Sequence, residues 1–356
     1  MLRGYAAVRA FVASESRRDA ALATERQRPY KRPRMDPVTV KGVSLPWSVS
    51  ELAAMAAAVE RVALEAAAVC LKGWRTGTAV ERKGDIDLVT AWDRASEDVL
   101  REGLTRAFPD IALVAEEGGG TAPLNAPVFF ADPLDGTTNF AHGHPFFAVS
   151  VGLMVGSEAV LGVVAAPALR NVWRASVGTP ATRDGEVCRV SATERLGDAL
   201  LATGFPYDVR SNPLHNFDHF AALTKKTRGV RRCGSAALDL CLTADGTFDG
   251  YWERHLKPWD MAGGAAVVRA AGGTVTDLRG GPRTRGRGRC SRATGGCTPR
   301  CSRRSARWTR RQRRAGSERV NTVRPGALSR RSSPPWSTAM RRAMVSPRPV
   351  PVGLVV

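Results

Sequence analysis

The sequence predicts an α+β protein made of two successive α/β units, over residues 48–191 and 192–282. Three observations predict it. Between Ser48 and Pro282, apolar runs of strand length alternate with longer segments of helical period. Acidic residues stand where these elements begin or stop, at Asp93, Glu116, Asp132, Asp135 and Asp260. Charge is segregated as well. Residues 283–356 hold 20 Arg, no Lys and one acid, Glu318, and residues 1–47 are net +6, so of the total of +20 the stretch 48–282 keeps −5. The middle is therefore a mildly acidic globular segment, and the basicity belongs to the ends.

Residues 1–47 carry mixed charge and two close prolines, Pro29 and Pro33, and read as an extension with little fixed structure, either a transit-like leader or a start codon set too early. Order is expected from Ser48-Val-Ser-Glu51, which has the form of a capping box, followed by an Ala-rich helix to Lys72. Residues 84–90 alternate and are β-branched, a turn and short strand. Asp93 starts a second helix, with Leu100, Leu104 and Phe108 as its core stripe. Ile111 to Ala115 is a strand ending at Glu116 and Glu117, and Gly118 to Gly120 form a mobile loop. That loop lacks the Lys and Ser/Thr of a P-loop.

Val128 to Ala131 is a buried strand leading into Asp132-Pro-Leu-Asp135-Gly-Thr-Thr-Asn-Phe140. Pro133 has a fixed φ, so a turn is expected there, with Asp132 and Asp135 converging on one side. Gly136, Thr137 and Thr138 can open a helix whose bare N–H groups suit a phosphate. Carboxylates for a hard cation beside donors for an anion point to a Mg²⁺-dependent phosphate site. Residues 148–155 and 159–166 form a hairpin, and stranded structure continues to Ser191.

The second unit reads as a strand at 199–204, a helix at 214–226 and a strand at 229–232. A helix opened by Gly234-Ser-Ala-Ala237, a strand at 248–252, a helix from Trp259 to Ala271 capped by Gly272-Gly273, and a strand at 274–277 follow. Beyond Pro282 the chain has no Ile, Phe or Lys and no period, so it is expected to be disordered, either a basic tail or the product of a frame error. Seven Cys without a CxxC suit a reducing cytoplasm, and Cys297 and Cys301 lack a following His for a zinc site. There is no run of 18 apolar residues to span a membrane.

Several motifs together resemble the inositol monophosphatase family of Mg²⁺-dependent, lithium-sensitive phosphatases. They are Asp87-Leu-Val-Thr-Ala-Trp-Asp93, Ala115-Glu-Glu117, the Asp132–Phe140 run continued by His142-Gly and Phe147-Ala-Val-Ser150, Gly234-Ser-Ala-Ala237, and Trp259-Asp-Met-Ala-Gly263 with Gly272-Gly273. The resemblance covers residues 50–282. It implies a layered αβαβα sandwich, and two or three Mg²⁺ held by Glu116, Asp132, the Leu134 carbonyl, Asp135 and Asp260. Glu117 would support that shell or face solvent. Asp93 and Thr137 would orient and deprotonate the attacking water, with Glu116 counted among the catalytic acids. The N–H groups of Gly136 and Thr137 would hold phosphate oxygens. Asp135, Glu253 and the Gly234-Ser235-Ala236 turn would take the alcohol part of the substrate. Arg231 is not expected to be catalytic. His142 and His144 are expected to be structural, and Trp92 and Trp259 to fill the core.

The implied substrate is inositol 1-phosphate or a similar small polyol phosphate. Histidinol phosphate, a sugar bisphosphate and adenosine 3′,5′-bisphosphate are alternatives, and family members often form homodimers. A different class of function is non-specific nucleic-acid binding through the Arg-rich tail. Family members continue past Gly-Gly-Pro with a strand and a C-terminal helix, which residues 283–356 do not match. The second unit is then expected to lack a strand and its covering helix, leaving an exposed edge and a weakly stable or inactive product.

Overall fold

The computed structural model describes residues 38–77, 80–82, 88–123, 126–212, 215–278 and 352–355. A small hairpin, β1 (Thr39–Val40) and β2 (Val43–Ser44), precedes helix α1 (Val49–Gly73). Ser48 caps α1 as a closed capping box: its Oγ accepts the Glu51 N–H at 3.2 Å and Glu51 Oε2 accepts the Ser48 N–H at 2.8 Å. Strands β3 (Val80–Arg82) and β4 (Leu88–Thr90) pair antiparallel, and Thr90 leads directly into α2 (Ala91–Ala107). Asp93 therefore does not start this helix. It occupies the third helical position and closes a second capping box with Thr90.

The first sheet has seven strands in the order β11-β10-β9-β8-β7-β6-β5. These are β5 (Ala112–Ala115), β6 (Val128–Asp135), β7 (Ala148–Val155), β8 (Glu158–Ala166), β9 (Asn171–Ser176), β10 (Thr182–Arg183) and β11 (Glu186–Val187). All neighbours are antiparallel except β5 and β6. Helices α1 and α2 cover one face, where Phe129, Val151, Leu161 and Val163 join Leu52, Val59 and Leu100 in one core. The other face, with Val164, Ala166 and Trp173, packs on α5 (Ala236–Ala244) and α6 (Pro258–Ala270). Burial on both sides explains why β7 and β8 read as nearly continuous apolar runs. Contact with α6 is close enough to exclude side chains. A Cβ on Gly162 would lie 2.1 Å from the Gly263 carbonyl oxygen, and one on Gly152 2.2 Å from the Ala262 carbonyl carbon.

The second sheet runs β13-β12-β14-β16-β15, with β12 (Leu200–Thr203), β13 (Gly229–Arg231), β14 (Gly250–Arg254), β15 (Val275–Asp277) and β16 (Val352–Val355). Helix α4 (Phe217–Thr224) packs on its outer side, where Leu223 meets Ala199, Leu201 and Trp252. From α1 and α2 through sheet, α5 and α6, and second sheet to α4, the layers alternate α, β, α, β, α. The boundary expected at 191–192 falls between β11 and β12, and the described residues on its two sides belong to one compact unit.

Further expectations need correction. The strand before the acids does not end at Ala131 with a turn at Pro133: β6 continues to Asp135, with a register irregularity between Asp132 and Asp135. Proline fits there because the bulge leaves that position out of the ladder. Gly118 to Gly120 is tied down, since the Gly119 carbonyl accepts Arg101 Nη2 at 2.7 Å and the Ala115 N–H at 3.2 Å. Val352–Val355 inserts between β14 and β15, antiparallel to both, pairing Glu253 with Gly353 and Thr276 with Leu354. The extension at 1–47 is not without fixed structure throughout, since Thr39–Val40 and Val43–Ser44 pair as a hairpin and Leu45 is buried; residues 1–37, the tail stretch 283–351 and the Cys297–Cys301 pair lie outside the described residues.

Deleting residues 350–356 is expected to lower the unfolding midpoint by about 5 °C, because β14 and β15 lose their shared partner. Differential scanning calorimetry on full-length and truncated chains checks this, and an unchanged midpoint would refute the role of β16.

Candidate active site

The C-terminal end of β6 is pinned from two sides. The Pro133 carbonyl accepts Ser96 Oγ of α2 at 2.8 Å and the Cys70 thiol of α1 at 3.5 Å. Asp132 Oδ1 accepts the Leu134 N–H at 3.0 Å, a short Asx-type closure across the proline. The Leu134 carbonyl in turn faces Thr137, whose Oγ1 lies 3.0 Å away. Gly136 then takes φ +93°, and a Cβ there would meet the Phe146 carbonyl at 2.9 Å, so glycine is needed where the chain turns into α3 (Thr137–Ala141).

Thr137 Oγ1 also lies 2.9 Å from Asp93 Oδ1, joining residues 44 apart in sequence. The hydroxyl has one proton and two acceptors within reach, and the anionic Asp93 outcompetes the Leu134 carbonyl for it. Asp93 is held rigidly, because its Oδ2 accepts both the Thr90 N–H at 2.7 Å and Thr90 Oγ1 at 2.6 Å. It is fully buried at 1% exposure, so the pair keeps a fixed geometry.

Asp135 reaches across to the second unit. It accepts Ser235 Oγ at 2.5 Å, the Ala237 N–H at 2.7 Å and, more weakly, the Ala236 N–H at 3.3 Å. Of the Gly234-Ser235-Ala236 turn expected to take substrate, the Ser235 hydroxyl and the Ala236 N–H are thus directed at Asp135. Gly234 lies beside Asn139, whose Nδ2 donates to the Cys233 carbonyl at 2.9 Å. Asp260, third residue of α6 after Pro258, accepts the Lys257 N–H at 2.5 Å. Glu253, on β14, accepts the buried Tyr251 hydroxyl at 2.5 Å.

Glu116 sits at the end of β5 and its N–H bonds the Ala131 carbonyl of β6. The turn that carries it is fastened by Glu97 of α2, a residue the sequence reading missed. Glu97 is buried and accepts the Glu117 N–H at 2.8 Å and the Gly118 N–H at 2.7 Å, while Arg101 neutralises it at 2.7 Å. Glu97, Ser96 and Cys70 carry no motif, and the signal available is that polar residues occupy the buried stripe of a helix. Glu117 lines a separate cleft of about 510 Å³ with Glu81, Arg94, Asp98 and Arg101, which includes none of Asp132, Asp135, Thr137 or Asp260. His142 and His144 are exposed, Trp92 and Trp259 pack into the core, and Arg231 faces solvent.

Negative charge is concentrated here. Burial, and then the carboxylates of Glu116, Asp135 and Asp260, push the Asp132 carboxyl well above the usual range. Burial and Glu116 do the same to Asp260. Asp135 is pushed up to about 6 by burial, against the pull of Ser235 and the α5 N–H groups. Glu253 is pushed up to about 7 by burial. Among the described residues no three acids, His or Cys are already drawn into a metal shell, and Asp132, Asp135 and Asp260 each accept a backbone N–H. The donor set itself is all oxygen and mutually repelling, which fits a hard divalent cation.

A five-layer α/β fold with buried acids beside a Thr–Asp pair suits a phosphatase. The sequence profile of the inositol monophosphatase family matches residues 51–313. The chain belongs to that family of phosphatases. It is 42% identical over 232 residues to inositol-1-monophosphatase of Synechocystis, covering 65% of this chain and 81% of the relative. It is 42% identical over 209 residues to the Nus factor SuhB of Pseudomonas aeruginosa, covering 57% and 76%. The solved inositol monophosphatase of Anabaena superposes with a TM-score of 0.60 at 39% identity, over 65% of this chain and 87% of that one. No helix among the described residues is long and apolar enough to cross a membrane.

Carboxyls with raised pKa bind more protons folded than unfolded. Their stabilisation is complete below the unfolded pKa near 4 and is lost as pH rises through about 6 for Asp135 and about 7 for Glu253. In chelator, the unfolding midpoint is therefore expected to fall between pH 5 and pH 8, and MgCl₂ to restore it at pH 8. Scanning fluorimetry across that range checks the sign, and a midpoint rising with pH in chelator would contradict it.

Proposed function

We propose that the protein is a Mg²⁺-dependent phosphomonoesterase that hydrolyses inositol 1-phosphate or a related small polyol phosphate. The observation that carries this reading is the Thr137–Asp93 hydrogen bond beside the acids at the end of β6. Glu116, Asp132, the Leu134 carbonyl, Asp135 and Asp260 would hold two or three Mg²⁺. The bound cations would acidify water and neutralise charge on the phosphate and leaving oxygen.

The protein's own groups supply the rest. Asp93 holds the Thr137 proton, leaving the Thr137 Oγ1 lone pairs to accept from the attacking water and aim it at phosphorus. Proton drift from water to the Thr137–Asp93 pair is easier because Asp93 is buried and fixed by Thr90. The Gly136 and Thr137 N–H groups face the phosphate oxygens as charge builds on them. Water attacks in line, so no phosphorylated side chain is required. Glu253 and Asp135 accept hydrogen bonds from the hydroxyls of the alcohol. That pair of acceptors favours a polyhydroxy alcohol over a nucleotide. Unpaired Cys70, Cys188, Cys233 and Cys241 suit work in a reducing cytoplasm.

Asp132→Asn and Asp260→Asn are each expected to abolish Mg²⁺-dependent phosphate release from inositol 1-phosphate. Malachite-green assay reads the outcome, and full activity in either variant would sink the reading. A panel of esters, including histidinol phosphate, fructose 1,6-bisphosphate and adenosine 3′,5′-bisphosphate, compared by kcat/KM, decides the substrate. Glu97→Ala frees the turn that carries Glu116 and is expected to raise the Mg²⁺ concentration for half-maximal activity about 10-fold or more. An unchanged Mg²⁺ titration would show that Glu97 does not position Glu116.

A further inference from the structure

Glu253 is not simply present at the alcohol side of the site; it is built in. Tyr251 and Glu253 lie two apart on β14 and so share a face. The Tyr251 hydroxyl, buried with the rest of its ring, donates to Glu253 Oε2 at 2.5 Å. The carboxylate also rests on Gly204, where a Cβ would lie 2.0 Å from Glu253 Oε2 and 2.2 Å from its carboxyl carbon. No side chain fits there with Glu253 in place.

Gly204 is itself clamped. Asn216, fully buried, donates from Nδ2 to the Gly204 carbonyl and to Thr203 Oγ1, each at 2.7 Å. Its Oδ1 accepts Trp252 Nε1 at 2.9 Å, and Thr203 Oγ1 donates to the Trp252 carbonyl at 2.7 Å. Asn216 stands at the start of α4, where asparagine is a favoured cap, yet its side chain makes no capping bond. The side chain is spent instead on locking the end of β12 to β14, one residue from Glu253.

We propose that Tyr251, Gly204 and Asn216 are positioning residues for Glu253, and that through it they set the preference for polyhydroxy phosphate esters over plain ones. The inference rests on the reading of Glu253 as the hydroxyl acceptor. Tyr251 fixes where the carboxylate points, and Gly204 fixes how deep it sits. Asn216 keeps that floor from moving. None of the three need touch substrate.

The test compares kcat/KM for inositol 1-phosphate with that for 4-nitrophenyl phosphate, which has no ring hydroxyls, in full-length protein with saturating MgCl₂. Tyr251→Phe keeps the ring and removes the hydroxyl, and Gly204→Ala adds a methyl where the carboxylate rests. Each is expected to lower the inositol-to-nitrophenyl ratio about 10-fold, as the loss of one hydrogen bond to a charged group would, chiefly through KM for inositol 1-phosphate. In a Glu253→Gln background, Tyr251→Phe is expected to lower the ratio no further. If Glu253→Gln lowers the ratio but Tyr251→Phe leaves it unchanged, the proposal is wrong and the reading of Glu253 stands. Equal losses on both esters, or additive effects in the double variant, overturn it too. If Glu253→Gln leaves the ratio unchanged, the reading of Glu253 falls and takes the proposal with it. Should Gly204→Ala fail to fold, Tyr251→Phe and the double variant still decide.

Discussion

Like charge held in one place is the constraint on which the site depends. Burial raises the pKa of Asp132, Asp135 and Asp260, and Glu116 and Asp135 add to the rise at Asp132 and Asp260. Carboxylates left free would swing apart. Here the backbone beneath them cannot yield, because the Pro133 carbonyl is held by Ser96 and Cys70 and the Glu116 turn by Glu97. The cost of assembling the acids is therefore borne by the whole layer of α1 and α2 against the first sheet, and a divalent cation is the natural counter-charge.

The layering explains why these acids meet at all. Asp132 and Asp135 come from the sheet, Asp260 from the start of α6, and Glu253 from the second sheet. Glycines at 152, 162 and 263 let α6 lie on β7 and β8 without intervening side chains, which places the start of that helix close to the end of β6. Asp135 then spans to Ser235 and α5, tying the end of β6 to the start of that helix.

Local chemistry made part of this legible in advance. The Ser48–Glu51 box, the hairpin of β7 and β8 and the acid-bearing run after β6 depend on contacts within a few residues, so spacing and residue type reveal them. Pro133 predicts a turn where the structure has a bulge within β6, since proline breaks a ladder in general but not where the register already skips. Glu97, Ser96, Cys70 and Asn216 stayed hidden for another reason. Each is one polar residue on an element otherwise defined by its apolar face, and its partner is 12 to 63 residues away.

The sequence by itself determined which acids exist and that each falls near the end of an element, because strand and helix periods and helix caps are properties of neighbouring residues. It also determined membership of a phosphatase family through motifs that survive at fixed spacing. Tertiary structure decided what those residues can do together. It brought Thr137 to Asp93 across 44 residues and Ser235 to Asp135 across 100. It placed Val352–Val355 between β14 and β15, in a position the intervening Arg-rich stretch gave no reason to expect. Such contacts arise when sheets and helices pack, and packing depends on the whole chain and not on any one stretch of it.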